Sequence, residues 1–142
     1  MTKSKENRGP YINAALLCEK VLEEKDSVLS IVRLINQLVH TQKGADAPQK
    51  LPKFSYRLFC VCVIKAGDAD GKHILGIKLK SPADKLLEKL EFPFAVQNGA
   101  GANIIMEMNL TFSQVGLYWF EVYLDSELAT KIPLTIVYNR IA

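Results

Sequence analysis

A chain of 142 residues, 49% apolar and 23% charged, is long enough to bury about 68–70% of the surface its unfolded form exposes. It therefore needs neither a disulfide framework nor a structural metal to fold, and its composition excludes a wholly disordered polypeptide. The net charge of +3 is mostly local, because Lys3, Lys5 and Arg8 against Glu6 leave the rest of the chain close to neutral; no Lys/Arg stripe stands out beyond that tail, so a nucleic-acid partner is not expected.

Residues 1–10 read as a flexible N-terminal tail, with Pro10 marking where order begins, and residues 11–142 as a single domain. The run Ala14-Ala15-Leu16-Leu17-Cys18 is cut off by Glu19 and Lys20, which argues against both a signal peptide and a membrane span. Tyr11 to Thr41 has two readings. Propensity favours two helices, with Asp26-Ser27 as a cap. The same residues also fit a hairpin, with a strand to about Leu22, a charged turn over Glu23 to Ser27 and a strand from Val28 to Val39. Period alone does not separate them.

Gln42 to Lys53, with Gly44, Pro48 and Pro52, is a loop. Phe54 to Lys65 is apolar on both faces and is expected to be a central strand covered on both sides. A turn over Ala66 to Gly71 leads into a strand from His73 to Lys80, where Lys78 and Lys80 alternate with Ile77 and Leu79. After Ser81-Pro82, Ala83 to Glu91 is either a short helix capped by Ser81 or a connection into a strand near Phe92 to Gln97. Asn98 to Gly101 is a turn. From Ile104 to Phe112 the even positions are apolar and Glu107, Asn109 and Thr111 polar, the period of a half-buried strand. Leu117 to Leu124, the turn Asp125-Ser126-Glu127 and the apolar run from Ile132 to Tyr138 form a closing hairpin.

Two pieces together resemble a known family: Leu16-Leu17-Cys18-Glu19-Lys20-Val21 with Leu29-Ser30-Ile31-Val32-Arg33-Leu34, and Gly116-Leu117-Tyr118-Trp119-Phe120 with Leu124-Asp125-Ser126-Glu127-Leu128 and Ile132-Pro133-Leu134. They are similar to a bacterial domain-of-unknown-function family of short immunoglobulin-like or C2-like β-sandwiches. The resemblance implies that Tyr11 to Thr41 is the hairpin. Gly116-Leu117-Tyr118 also resembles the tyrosine corner of immunoglobulin-like domains. Where antibody domains place a cysteine two residues later, this chain has Phe120, so packing must join the sheets. The expected fold is an all-β, single antiparallel sandwich, immunoglobulin-like, of about seven or eight strands with one short helix after Ser81 as an option.

The chemistry-bearing residues are few. Cys60 and Cys62, with Cys18 from the first strand, could offer thiolates to a soft metal, but small buried filler is the expected role. Two cysteines two apart in one strand point the same way and do not suit a disulfide, which favours a reducing, cytoplasmic compartment. Asp68 and Asp70, with His73, could form a loop site for a small ligand or metal ion, although Asp-Gly chemistry alone accounts for the turn. His40 and His73 read as solvent-exposed. No nucleophile elbow or zinc-protease motif is present, so neither an enzyme nor a cofactor is expected. Trp119 and Tyr123, flanking Glu121 on the outward face of one strand, could form an interaction patch unless a loop or the N-terminal segment covers them. The leading expectation is a non-catalytic module for an unknown protein partner or self-association, without nucleic acid or membrane; the alternative is the loop-end ligand site.

Overall fold

The computed structural model describes residues 8–141. In chain order the strands are β1 (Tyr11–Glu23), β2 (Leu29–Leu34), β3 (Gln37–Lys43), β4 (Phe54–Lys65), β5 (Gly71–Lys80), β6 (Leu86–Val96), β7 (Ala102–Phe112), β8 (Gly116–Leu124) and β9 (Glu127–Ile141). They build a four-stranded sheet in the order β2-β1-β4-β7 and a five-stranded sheet in the order β3-β9-β8-β5-β6. Strands β4 to β9 follow the immunoglobulin order, with β4 and β7 paired in one sheet and β9, β8, β5 and β6 side by side in the other. The flexible tail expected over 1–10 falls mostly outside the described residues. At its end Arg8 is already tied in, its carbonyl accepting the Asp68 N–H at 2.7 Å.

Three features depart from the sequence expectation. There are nine strands among the described residues rather than seven or eight. The helix after Ser81 is absent: the Ser81 hydroxyl accepts the N–H groups of Ala83 and Lys85 at 3.2 and 3.1 Å, while the Ser81 N–H donates to the Lys85 carbonyl. That closes a turn, and the ladder of β6 along β5 takes up the residues a helix would have used. The second arm of the first hairpin also does not run unbroken from Val28 to Val39. Arg33 takes a left-handed φ of 58°, Ile35 bonds back to Leu17 and Asn36 accepts from Thr135. The chain thereby changes sheets, and β3 joins β9 in parallel, the one departure from antiparallel pairing among these strands.

The hairpin reading of Tyr11 to Thr41 holds, because β1 pairs β4 along its first half and β2 along its second. Tertiary pairing overrides the local helix propensity. The core lies between the sheets. Leu58, Cys60, Cys62 and Ile64 from β4 and Met106, Met108, Leu110 and Phe112 from β7 face Leu75, Ile77 and Leu79, Tyr118, Phe120 and Val122, and Ile132, Leu134 and Ile136. Phe120 is fully buried where a disulfide would sit in an antibody domain. Tyr118 forms the expected corner, donating its hydroxyl to the Gln114 carbonyl at 2.7 Å and meeting Phe112 edge-on. Burial pushes its phenol above the ordinary value.

Strand β4 is central, between β1 and β7, but the second sheet covers only one of its faces. Its other face, with Phe59, Val61 and Val63, points outward. Edge strand β6 carries Pro93 opposite Ile74. Ile74 turns its N–H and C=O toward Asp125, so the Pro93 nitrogen faces away from the sheet, where proline breaks no ladder bond and removes a donor from the edge.

Candidate functional site

Alternation along β8 buries Tyr118, Phe120 and Val122 and sends Trp119, Glu121 and Tyr123 to the outer face of the five-stranded sheet. Lysines from the flanking strands stand over these aromatics. Lys131 Nζ stands 4.6 Å from the Trp119 ring centroid and Lys78 Nζ 4.7 Å from that of Tyr123. Lys80 Nζ lies 3.7 Å from Glu121 Oε1, which also accepts the Tyr123 hydroxyl at 2.9 Å. That bond holds the Tyr123 phenol above its ordinary value, since ionising it would place two anions together.

The register adds two more lysines, Lys72 and Lys89, and one more carboxylate, Glu91, to this face. On β5, β6, β8 and β9 five lysines stand against two glutamates, a local excess of +3. The basic stripe that the linear sequence does not show is therefore assembled by strand order, from residues spread between positions 72 and 131. Lys78 and Lys89 stand directly opposite each other, an arrangement that is destabilising across a ladder. Between them and Tyr123 runs an open groove of about 180 Å³, lined also by Ile74, Glu91 and Ser126. Its floor is Gly76, where a side chain would stand in ordinary contact with Tyr123 and Leu90.

The loop-end residues gather beside this groove. His73 Nδ1 lies 2.6 Å from Asp125 Oδ2 and Nε2 3.2 Å from the Asp70 carbonyl. Asp125 Oδ1 accepts the Ile74 N–H at 2.9 Å, and Asp70 Oδ1 accepts the Asn98 N–H at 3.3 Å. Asp70 and His73 thus come together, but through a backbone carbonyl. Their carboxylate neighbour is Asp125, which the sequence showed only as a turn residue. Asp68 contributes its backbone N–H. Among the described residues no group of three or more His, Cys, Asp or Glu could hold a metal ion. Both imidazole nitrogens face acceptors, so the cluster works as a tie between the β4–β5 turn, β5 and the β8–β9 turn.

His73 is half-buried against Phe94, and His40 stacks on Phe54 with centroids 4.4 Å apart. Neither is the exposed histidine expected, because each sits on a strand flanked by aromatic rings. Cys60 and Cys62 face the core; Cys18 pairs with Phe59, on the opposite face of the sheet. All three are free and buried. The hydrogen bond to Cys62, followed by burial, holds the Cys60 thiol well above the ordinary range, and burial raises that of Cys18. These are inert thiols.

Among the described residues no helix is long and apolar enough to cross a membrane. Comparison with curated proteins found no match. Among solved structures, the chain is similar to the CARDB domain of a Pyrococcus furiosus protein, crystallised in complex with di-metal ions, at 8% identity and a TM-score of 0.45 over 96% of this chain and 99% of that one. Residues 13–137 match the family model described as a family of unknown function, DUF6941, and the chain belongs to that family.

Proposed function

We propose that the protein is a non-catalytic binding module whose outer five-stranded face takes an acidic segment of a partner protein. The observation that carries this reading is the opposed pair Lys78 and Lys89 over the open floor at Gly76. A sheet that keeps like charges opposite each other gains stability when an anion enters between them. A carboxylate in the groove meets both ammonium groups and the Ser126 side of the turn. Lys78 and Lys131 rest on aromatic rings and can turn from ring to carboxylate at small cost. Glu91 and Glu121 stand among the lysines and interrupt the positive surface, which favours a short acidic segment over a long uniform polyanion such as nucleic acid.

The test is fluorescence anisotropy with a labelled glutamate-rich peptide and, in parallel, labelled single-stranded DNA. The expected result is salt-sensitive peptide binding, lost in Lys78→Glu/Lys89→Glu and weakened by Trp119→Ala/Tyr123→Ala. Tighter binding of DNA than of the peptide, or peptide binding unchanged in the lysine variant, overturns the reading.

A further inference from the structure

The outer face of the four-stranded sheet has the opposite character, and the lysine face gives no account of it. Outward alternation on β1, β2, β4 and β7 brings Leu16, Leu34, Phe59, Val61, Val63 and Ile105 into one patch. Exposure across it runs from 1% at Val61 to 68% at Leu34. Among the described residues every strand lies within one of the two sheets, so none packs over this patch. Contiguous apolar surface of this kind marks an interface.

We infer that this face docks a second copy of the same chain, sheet against sheet, about a two-fold axis. Charge supports a second copy. Near the middle of the face the ionised groups are Arg57 and Glu107, already paired at 2.9 Å, and Arg57 also lies over the Phe59 ring. The remaining outward charges, Lys20 and Lys65, stand at opposite ends of the face, so two such faces meet with neutral centres, whereas two lysine faces would repel across the groove. Area supports it as well. Strands β1, β4 and β7 of 13, 12 and 11 residues and β2 of six, at about 3.3 Å per residue and about 4.8 Å apart, present roughly 650 Å², approaching the about 800 Å² per partner of a stable interface. A two-fold contact makes each patch its own complement, and face-to-face sheets pack by the same interdigitation that forms the sandwich core. Edge-to-edge pairing through β6 is disfavoured by Pro93.

The experiment is analytical ultracentrifugation of the full chain over a concentration series. The expected species has twice the 15.9 kDa chain mass. Leu34→Asp and Ile105→Lys, each confirmed by circular dichroism to keep the strand spectrum, are expected to sediment as monomers, while Lys78→Glu/Lys89→Glu remains dimeric. The high exposure of Leu34 means that its substitution reports on docking and not on folding. A monomeric wild type at every concentration overturns the inference. So does a dimer that survives both apolar-face substitutions, which would place self-association at an edge strand or on the lysine face.

Discussion

Asp125 shows how one side chain can join segments that the sequence keeps far apart. Its carboxylate binds His73, 52 residues away, and the backbone of Ile74, while its own left-handed φ of 51° helps form the β8–β9 turn. The sequence revealed the turn through Asp125-Ser126 but could not reveal the tie, because that depends on β5 lying beside β8. The two functions separate by substitution. Asp125→Ala leaves the Ile74 N–H without its acceptor and is expected to cost about 1–2 kcal/mol. Asp125→Asn keeps an oxygen for Ile74, tolerates the left-handed backbone and alters only the half-exposed contact with His73, so it is expected to cost under about 1 kcal/mol. Urea unfolding of both variants checks this ordering; equal losses would place the stabilisation in the charge and not in the bond to Ile74.

At the scale of the element, hairpins were legible wherever the turn carried its own chemistry. The β8–β9 turn has two consecutive left-handed residues, Asp125 at 51° and Ser126 at 73°, with Leu124 opposite Glu127. That is the primed two-residue turn whose twist suits adjacent strands. The second position favours glycine, and Ser126 holds it against its preference. Ser126→Gly is therefore expected to stabilise the protein by about 0.5–1 kcal/mol, read as a rise in melting temperature with an unchanged strand spectrum. The break between β2 and β3 was not legible. It depends on Arg33 adopting a left-handed backbone and on bonds from Ile35 to Leu17 and from Thr135 to Asn36, contacts that exist only once both sheets have formed. The optional helix after Ser81 failed for a related reason: a serine that caps a turn has the same local signature as one that caps a helix.

Across the whole molecule, the sandwich sorts a nearly neutral sequence into two unlike faces. Period two along β5 and β8 was readable, and so were Lys78, Lys80, Trp119 and Tyr123 as outward residues. The arrival of Lys89 and Lys131 beside them was not, because register between strands is a tertiary quantity. The same limit hid the apolar outer face, since β4 read as covered on both sides when only one side is. Charge sorting of this kind has a measurable consequence independent of any partner. Lys78→Glu/Lys89→Glu and Lys20→Glu/Lys65→Glu change the formal net charge identically, from +3 to −1. The first pair lies at the centre of the lysine face; the second lies at opposite ends of the other sheet. If a charged surface acts through its densest patch and not through its total, the first variant should leave a sulfonate cation exchanger at distinctly lower salt than the second. Clustered ammonium groups reinforce one another within a Debye length of about 10 Å at 0.1 M salt, and the second pair is too widely separated to do so. Co-elution of the two variants would show that the lysines act as independent charges, and the groove at Gly76 would then have no electrostatic advantage over the rest of the surface.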